Sequence, residues 1–384
     1  METLKNVASI IGVGQTEFSK DSRRSVQRLA LEAALEAVND AGLSVTELDG
    51  IVPFPAGPTA EDMISGLGLP DCRFTAVSHM GGAACVSSIR LAALAVASGA
   101  ADAVLVFVAR NGCSGARVDD RVAAALPGRQ FRSNLEYPHG LNTPAQLYSL
   151  LCRRHMIRYG TTREQLGHVA LALREHANLN PHAQMHARQL TMDDYLAGPM
   201  IADPYRLFDC CLETDGASAI IVANPRLAAG AAYREVRIAG VAEGHSSSPD
   251  DIANRPDFLE IGLTKAAPRA FAMAEVSPGD VGAAFIYDCF TFEVVHQLEE
   301  AGFCARGEGG SFVESGAIRL GGALPVNTNG GLLSEGHTGG MNNVIEAIRQ
   351  LRGTCGDRQV PGLEVAAVTG WGDLGDGAMA ILTV

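Results

Sequence analysis

The stretch NTNGGLLSEGHTGG at residues 327–340 is a polar loop dense in glycine, and it contains one histidine, His337. Glycines allow close backbone approach to a ligand, and a histidine at the mouth of a helix can donate to an oxyanion or deprotonate a thiol. A lone histidine is usually structural or exposed. One surrounded by glycines is harder to explain by packing, so we predict that His337 is functional.

Strand and helix patterns alternate on both sides of this loop. Apolar runs bounded by turn residues predict strands, and apolar residues at helical spacing predict helices. The predicted strands are 7–14, 101–109, 282–288, 363–370 and 377–384, and the predicted helices are 25–40, 87–97, 263–274, 290–301 and 339–351. Two similarly built halves, each a mostly buried sheet with helices, predict an α/β fold with layers in the order α/β/α/β/α.

Residues 117–204 differ from their surroundings, because charged and polar helical patterns alternate there with loops rich in proline, asparagine and histidine. We interpret this segment as an inserted loop or lid subdomain. The stretch RLAAGAAYREVRIAGV (226–241) is the best boundary between the halves. The predicted organisation is an amino-terminal half at 1–230, which contains the insertion, and a carboxyl-terminal half at 231–384.

The composition disfavours several classes of protein. The 384 residues are 47% hydrophobic and 19% charged, which is typical of a packed enzyme interior. A formal net charge of −13 without a basic run disfavours nucleic acid and anionic membranes as partners. No apolar run reaches the roughly 18 residues of a membrane span, and the first residues lack a cleavage-site pattern. We therefore expect a soluble, cytoplasmic protein.

The cysteines give no sign of disulfide pairing or of a metal motif. There are nine, an odd number, and they are scattered along the chain, which predicts reduced thiols. CxxC pairs and the HExxH motif are absent, and the adjacent pair Cys210-Cys211 cannot chelate one metal comfortably without distant help. We expect no metal site.

Cys85 follows the glycine pair Gly81-Gly82 at the start of a predicted helix. The positive end of a helix dipole favours a thiolate, so Cys85 is a candidate nucleophile. The alternative is a packing role, because free cysteine is among the residue types most often buried. The spacing alone leaves both interpretations open.

The stretch Tyr287-Asp288-Cys289-Phe290 lies where a strand pattern runs into a helix pattern, the edge at which open α/β sheets present functional side chains. Cys289 could give or take a proton, and Tyr287 could donate to an oxyanion or alkoxide. Phe290 is a candidate for packing. Asp288 could simply cap the helix that begins at Phe290.

Two weaker candidates lie outside these loops. His139, in the motif YPHG, could line the cleft from the inserted segment, although a loop histidine is often only solvated. The closing stretch TGWGD contains Gly370 and Gly372, whose backbone N–H groups could hold an oxyanion or simply form a turn.

Taken in order, the three loops around Cys85, Cys289 and His337 resemble the catalytic loops of thiolases, particularly those of the sterol-carrier-protein type. The resemblance extends over nearly the whole chain, and the stretch at 327–340 is its most specific part. It implies the five-layered thiolase fold, with a loop domain inserted into the first of two similar halves, and usually a homodimer.

The resemblance also implies roles for individual residues. Cys85 would accept an acyl group as a thioester, His337 would activate that thiol, and Cys289 would move the α-proton. The backbone N–H of Cys85 with that of Gly370 or Gly372 would form an oxyanion hole. The substrate would be a coenzyme A thioester, with no tightly bound cofactor.

The second loop departs from the thiolase pattern, because Tyr287 stands where those enzymes have histidine. Its Tyr-Asp-Cys-Phe form is similar to that of steroid side-chain aldolases, thiolase relatives that cleave β-hydroxyacyl-CoA thioesters without a cysteine nucleophile. Those enzymes work with a small zinc-ribbon and OB-fold partner and carry tyrosine at the position of His337. Phloroglucinol C-acyltransferases, a further group of relatives, keep the cysteine and the histidine and need similar partners.

We therefore expect an acyl-CoA acyltransferase of thiolase type, which forms or cleaves a C–C bond through an acyl-enzyme on Cys85. One alternative is partner-dependent retro-aldol cleavage, for which Tyr287 and His337 supply the base and the donor. Partner-dependent C-acylation is another. A different class of function is a non-catalytic subunit that binds acyl-CoA or lipid as a scaffold.

Overall fold

The computed structural model of the protein describes residues 4–115, 132–248 and 252–384. The strands are β1 (Ser9–Gln15), β2 (Gly50–Pro53), β3 (Phe74–Thr75), β4 (Ala103–Asn111), β5 (Met200–Ala202), β6 (Tyr205–Arg206), β7 (Asp215–Ala223), β8 (Val236–His245), β9 (Ala283–Ile286), β10 (Val365–Gly372) and β11 (Asp376–Thr383). The α-helices are α1 (Val26–Ala41), α2 (Ala60–Leu67), α3 (Ala84–Ala97), α4 (Pro144–Tyr159), α5 (Arg163–Asn178), α6 (Met192–Ala197), α7 (Pro225–Ala228), α8 (Leu263–Ala274), α9 (Thr291–Glu300), α10 (Gly309–Glu314), α11 (Gly331–Ser334) and α12 (Met341–Arg352). Of the helices described, none is both long and apolar enough to cross a membrane.

The strands of the two halves form one sheet rather than two separate ones. Nine strands are hydrogen-bonded in the order β3-β2-β4-β7-β1-β8-β11-β10-β9. The junction is short, because β1 and β8 pair only through Ser9 with Arg237 and Ile10 with Val236. The buried strand β4 pairs in parallel with β2 and antiparallel with β7, so its apolar run reflects burial on both faces.

The predicted five layers are confirmed. Helices α3 and α12 lie between the two halves of the sheet, where they share one apolar cluster with strands of both halves. On the outer faces, α1 packs against β1, β4 and β7, and α8 packs against β8 and β11. Glycine allows the close approach of α1 to β1, since a Cβ on Gly14 would lie 2.5 Å from the backbone nitrogen of Ala37.

Helix ends follow the capping residues in the sequence. The side chain of Ser25 accepts the backbone N–H of Arg28 at the start of α1, and Gly42 ends that helix in the left-handed conformation, as predicted. Helix α8 has the predicted bounds. Helix α3 begins at Ala84, earlier than predicted, because the turn Gly81–Ala83 winds directly into it. Cys85 therefore lies inside the first turn of α3.

The inserted segment packs mainly on the carboxyl-terminal half. Leu151 of α4 and Leu166 of α5 belong to the same apolar cluster as Phe292 and Trp371. This packing places α4 and α5 beside the start of α9, where the second predicted loop lies. The predicted beginning of the insertion at Arg117 falls outside the described residues.

Candidate active site

The second and third predicted loops meet at the carboxyl end of β9. The Tyr287 hydroxyl lies 3.3 Å from Nε2 of His337. The side chain of Asn327 joins the two loops, because it accepts the N–H of Ile286 and donates to the carbonyl of the same residue, each at 2.7 Å. Asn343 of α12 also donates to this carbonyl, at 2.9 Å. Buried amides therefore fix the position of the Tyr287–His337 pair.

His337 is buried and held on several sides. Its backbone N–H donates to Thr214 Oγ1 at 3.0 Å, and its Nδ1 lies 3.4 Å from Arg110 Nη1. The guanidinium of Arg110 stacks over the Phe54 ring, 5.2 Å from its centre. Nδ1 therefore faces Arg110 and Nε2 faces Tyr287, and the tautomer of the ring sets which of the two nitrogens accepts.

The Tyr287 ring is confined between two glycines. A Cβ on Gly82 would lie 2.5 Å from Tyr287 Cζ, and one on Gly340 would lie 2.9 Å from Cδ2 of the same ring. This packing explains the glycine pair ahead of Cys85, which brings the first loop against the second. Burial raises the pKa of Tyr287 well above its usual value, so the resting group is a neutral phenol that can donate.

We expect Gly82→Ala to damage the site and the fold together. The added methyl group would clash with the Tyr287 ring and with a backbone oxygen, and such overpacking costs about 1–3 kcal/mol of unfolding free energy. Gly279→Ala is the matched control, because its nearest neighbour, Ser277 Oγ, would lie 3.7 Å away. Urea unfolding of both variants checks the prediction, and equal stability would contradict it.

Cys85 does not have the features of an activated nucleophile. Its side chain is almost fully buried, and its thiol donates to the carbonyl of Gly339 at 2.9 Å. Burial raises its pKa to about 12, although the charge of Arg110 acts in the opposite direction. Burial therefore favours the neutral thiol in the resting site, and the role of Cys85 as a nucleophile stays a prediction.

Cys289 faces a cysteine that the sequence analysis did not place in the site, Cys211. Their sulfur atoms are 3.3 Å apart, and Cys211 Sγ lies 4.0 Å from Nδ1 of His337. The hydrogen bond with Cys211, followed by burial, raises the pKa of Cys289 well above its usual value. Adjacent cysteines at 210 and 211 were visible in the sequence, but their proximity to Cys289 depends on the fold.

Asp288 caps a different helix from the predicted one. Its carboxylate accepts the N–H groups of Leu332 and Leu333, at 3.0 and 3.1 Å, at the start of α11. Glu293 instead accepts the N–H groups of Cys289 and Phe290 ahead of α9. The capping prediction is wrong because a glutamate one turn into the helix reaches back to its start.

The remaining predicted residues occupy different environments. Gly370 and Gly372 lie on β10 against the Cys85 loop, where Cβ atoms would be 2.7 Å from Ala83 Cα and 2.8 Å from the carbonyl carbon of Gly81. These contacts place both glycines beside the Cys85 loop, and the use of their N–H groups as an oxyanion hole stays a prediction. His139 is exposed in a turn at Tyr137–His139, unlike the buried His337.

Two groups of side chains have the composition and spacing of metal ligands. One is Cys211, Cys289 and His337, and the other is His155, His296 and Glu299, with the ligand atoms of each group within 4.8 Å of one another. Both groups combine residues from distant positions. Local motifs cannot reveal such groups, so the absence of a metal stays a prediction from sequence.

The chain is similar to known proteins over almost its whole length. The family described as Thiolase C-terminal domain-like matches residues 244–383. A 17-hydroxy-3-oxo-4-pregnene-20-carboxyl-CoA lyase of Mycobacterium tuberculosis is 40% identical over 377 residues, which are 95% of this chain and 96% of that protein. A steroid side-chain-cleaving aldolase of Thermomonospora curvata is 39% identical over 368 residues, or 92% of each protein.

The solved structure of an Ltp2-ChsH2(DUF35) aldolase superposes with a TM-score of 0.92 and 37% identity, covering 100% of this chain and 99% of that one. An acetyl-CoA acetyltransferase of Methanothermobacter thermautotrophicus is 34% identical, with 97% of each chain covered. The similarity therefore supports partner-dependent aldol cleavage better than the acyl transfer that we expected first.

Proposed function

This chain belongs to the thiolase superfamily, and on that basis we propose that it cleaves the Cα–Cβ bond of a β-hydroxyacyl-CoA thioester by a retro-aldol reaction. The observation that carries the proposal is the contact of 3.3 Å between the Tyr287 hydroxyl and Nε2 of His337. It joins two groups able to transfer protons at the carboxyl end of a buried strand, the edge at which open α/β sheets present functional side chains.

The proposed reaction needs one proton transfer at each end of the broken bond. The Tyr287 hydroxyl gives its proton to the unprotonated Nε2 of His337 as it takes the β-hydroxyl proton, the Cα–Cβ electrons move into the thioester to give an enolate, and the β-carbon becomes a carbonyl. The same proton then returns to the α-carbon. A backbone N–H beside the Cys85 loop would stabilise the negative charge on the thioester oxygen, for which Gly370 and Gly372 are candidates.

The state of Cys85 favours this reaction over acyl transfer. Acyl transfer needs a thiolate nucleophile, whereas burial raises the pKa of the Cys85 thiol to about 12 and favours its neutral form. Its proton is also engaged by the Gly339 carbonyl. Retro-aldol cleavage makes no demand on this sulfur, which can serve as part of the wall of the site.

We expect Cys85→Ala to retain carbon–carbon cleavage within about threefold of the parent, because a residue that only packs contributes little beyond its volume. The measurement is the initial rate of cleavage of a β-hydroxyacyl-CoA by the two proteins. A cleavage rate more than about 100-fold lower in a variant that circular dichroism shows to be folded would contradict this expectation and support Cys85 as a nucleophile.

The proposed substrate class is a coenzyme A thioester with a hydroxyl on its β-carbon, of the steroid type for which the similar lyase is named. The proposed setting is the cytoplasm, with a homodimer of this chain bound to a small partner of the ChsH2 kind. Tightly bound cofactors are not required, since the proton transfers use protein side chains alone.

The test combines the purified chain, alone and co-expressed with a ChsH2-type partner, with 17-hydroxy-3-oxo-4-pregnene-20-carboxyl-CoA. Chromatography with mass spectrometry should show a 17-keto steroid and a three-carbon acyl-CoA in equal amounts. If the steroid thioester stays intact and acetyl-CoA leaves an acyl adduct on Cys85, the result contradicts retro-aldol cleavage and supports acyl transfer. Neither product nor adduct would favour a non-catalytic subunit.

A further inference from the structure

Cys211 and Cys289 come together through a short backbone pairing. Cys210 and Phe290 form an antiparallel bridge, and the N–H of Cys211 donates to the carbonyl of Cys289 at 2.9 Å. The N–H of Cys289 donates to Glu293 instead, so this pairing is local and not part of a regular ladder. It nevertheless holds residues 211 and 289 opposite each other and brings their sulfur atoms close together.

The two sulfur atoms face each other at 3.3 Å, and both residues are only partly buried, whereas Cys85, Cys152 and Cys355 are buried. A disulfide bond is about 2.0 Å long, so a rotation of the side chains is enough to close the gap. Cys211 Sγ also lies 4.0 Å from Nδ1 of His337, so the two thiols adjoin the Tyr287–His337 pair.

We propose that Cys211 and Cys289 form an oxidative modification site, at which a hydroperoxide converts the two thiols into a reversible disulfide. This bond would join the Tyr287-Cys289 loop to the segment that follows β6. It would also move the Cys211 sulfur, which lies 4.0 Å from Nδ1 of His337. The proposal does not depend on which carbon–carbon chemistry the site performs.

The reaction balances with hydrogen peroxide as the only co-reactant. The Cys211 thiolate attacks one peroxide oxygen, the O–O bond breaks, and the hydroxide leaves as water with the proton first lost by the thiol, giving a sulfenic acid. Cys289 then attacks the Cys211 sulfur, and its thiol proton leaves with the sulfenic hydroxyl as a second water. Two thiols and one peroxide thus give one disulfide and two waters.

The experiment treats the purified full-length chain with hydrogen peroxide, blocks free thiols and measures the mass of the intact protein and of its proteolytic peptides. We expect the oxidised chain to carry two fewer blocked thiols than the untreated chain, a cross-linked peptide pair containing Cys211 and Cys289, and full reversal by dithiothreitol. Cys210→Ser is the matched control, because it changes the neighbouring cysteine, and it should still form the cross-link.

Cys211→Ser and Cys211→Ala should both lack the cross-link after the same treatment. A cross-link that includes Cys210 in place of Cys211, or a gain of oxygen atoms at Cys211 without any cross-link in the parent chain, would overturn the proposal. The deciding measurement is mass spectrometry of the parent chain, so the result does not depend on catalytic activity or on the stability of a variant.

Discussion

Tyr287→Phe is expected to lower the rate of carbon–carbon cleavage by about 10²–10⁴-fold, the range that a positioned acid or base contributes. The change removes only the hydroxyl that contacts His337 Nε2 at 3.3 Å. The ring itself keeps its place between Gly82 and Gly340, so the fold should be retained. The measurement is single-turnover cleavage of the β-hydroxyacyl-CoA with the partner present, so that substrate binding does not limit the rate.

Tyr233→Phe is the matched control, because this tyrosine is exposed, lies under the guanidinium of Arg352, and should leave the rate unchanged. A second comparison tests whether Tyr287 and His337 act as a unit. The double variant Tyr287→Phe/His337→Ala should then be little slower than either single variant, since groups acting together are not additive. Full activity of Tyr287→Phe would remove the pair from the mechanism.

The fold was predictable because its elements are long and strongly periodic. The helix at 263–274 and the caps of α1 follow local rules that hold whatever packs around them. The joining of β1 to β8 was not predictable, because it rests on two residue pairs that local patterns do not encode. Only the folded chain brings those strands side by side.

Tyr287, Cys289 and His337 could be named as candidate site residues from sequence, because they lie at the end of a strand pattern or in a glycine-rich loop. Cys211 was missed because it is 78 residues from Cys289 and 126 from His337, so no spacing rule connects them. The protonation state of the resting Cys85 thiol was not predictable for a different reason. Position in a helix is readable from sequence, whereas the burial that controls the pKa of Cys85 is a property of the tertiary structure.

The loop at 327–340, which contains His337, contacts a buried ion pair that the sequence did not reveal. Arg358 donates to both carboxylate oxygens of Glu346, at 2.8 and 3.1 Å, and both side chains are buried. Thr328, inside the loop at 327–340, also donates to Glu346, at 2.8 Å. Burial raises the pKa of Glu346, but the charge and hydrogen bonds of Arg358 outweigh it and leave the pKa below its usual value.

We expect Arg358→Met to lower the free energy of unfolding by about 3–5 kcal/mol at pH 7, because it leaves a buried carboxylate without its partner. Glu346 has a depressed pKa when paired, so its contribution to stability is present above its unfolded pKa and is lost as the pH falls. The unpaired Glu346 of the variant takes up a proton more readily, so the difference between variant and parent should shrink towards pH 4. Urea unfolding at several pH values measures this difference in unfolding free energy.

Arg28→Met is the control, because it breaks the exposed pair with Glu32 and should cost less than about 1 kcal/mol. A similar cost for both variants would show that the buried pair does not support the loop.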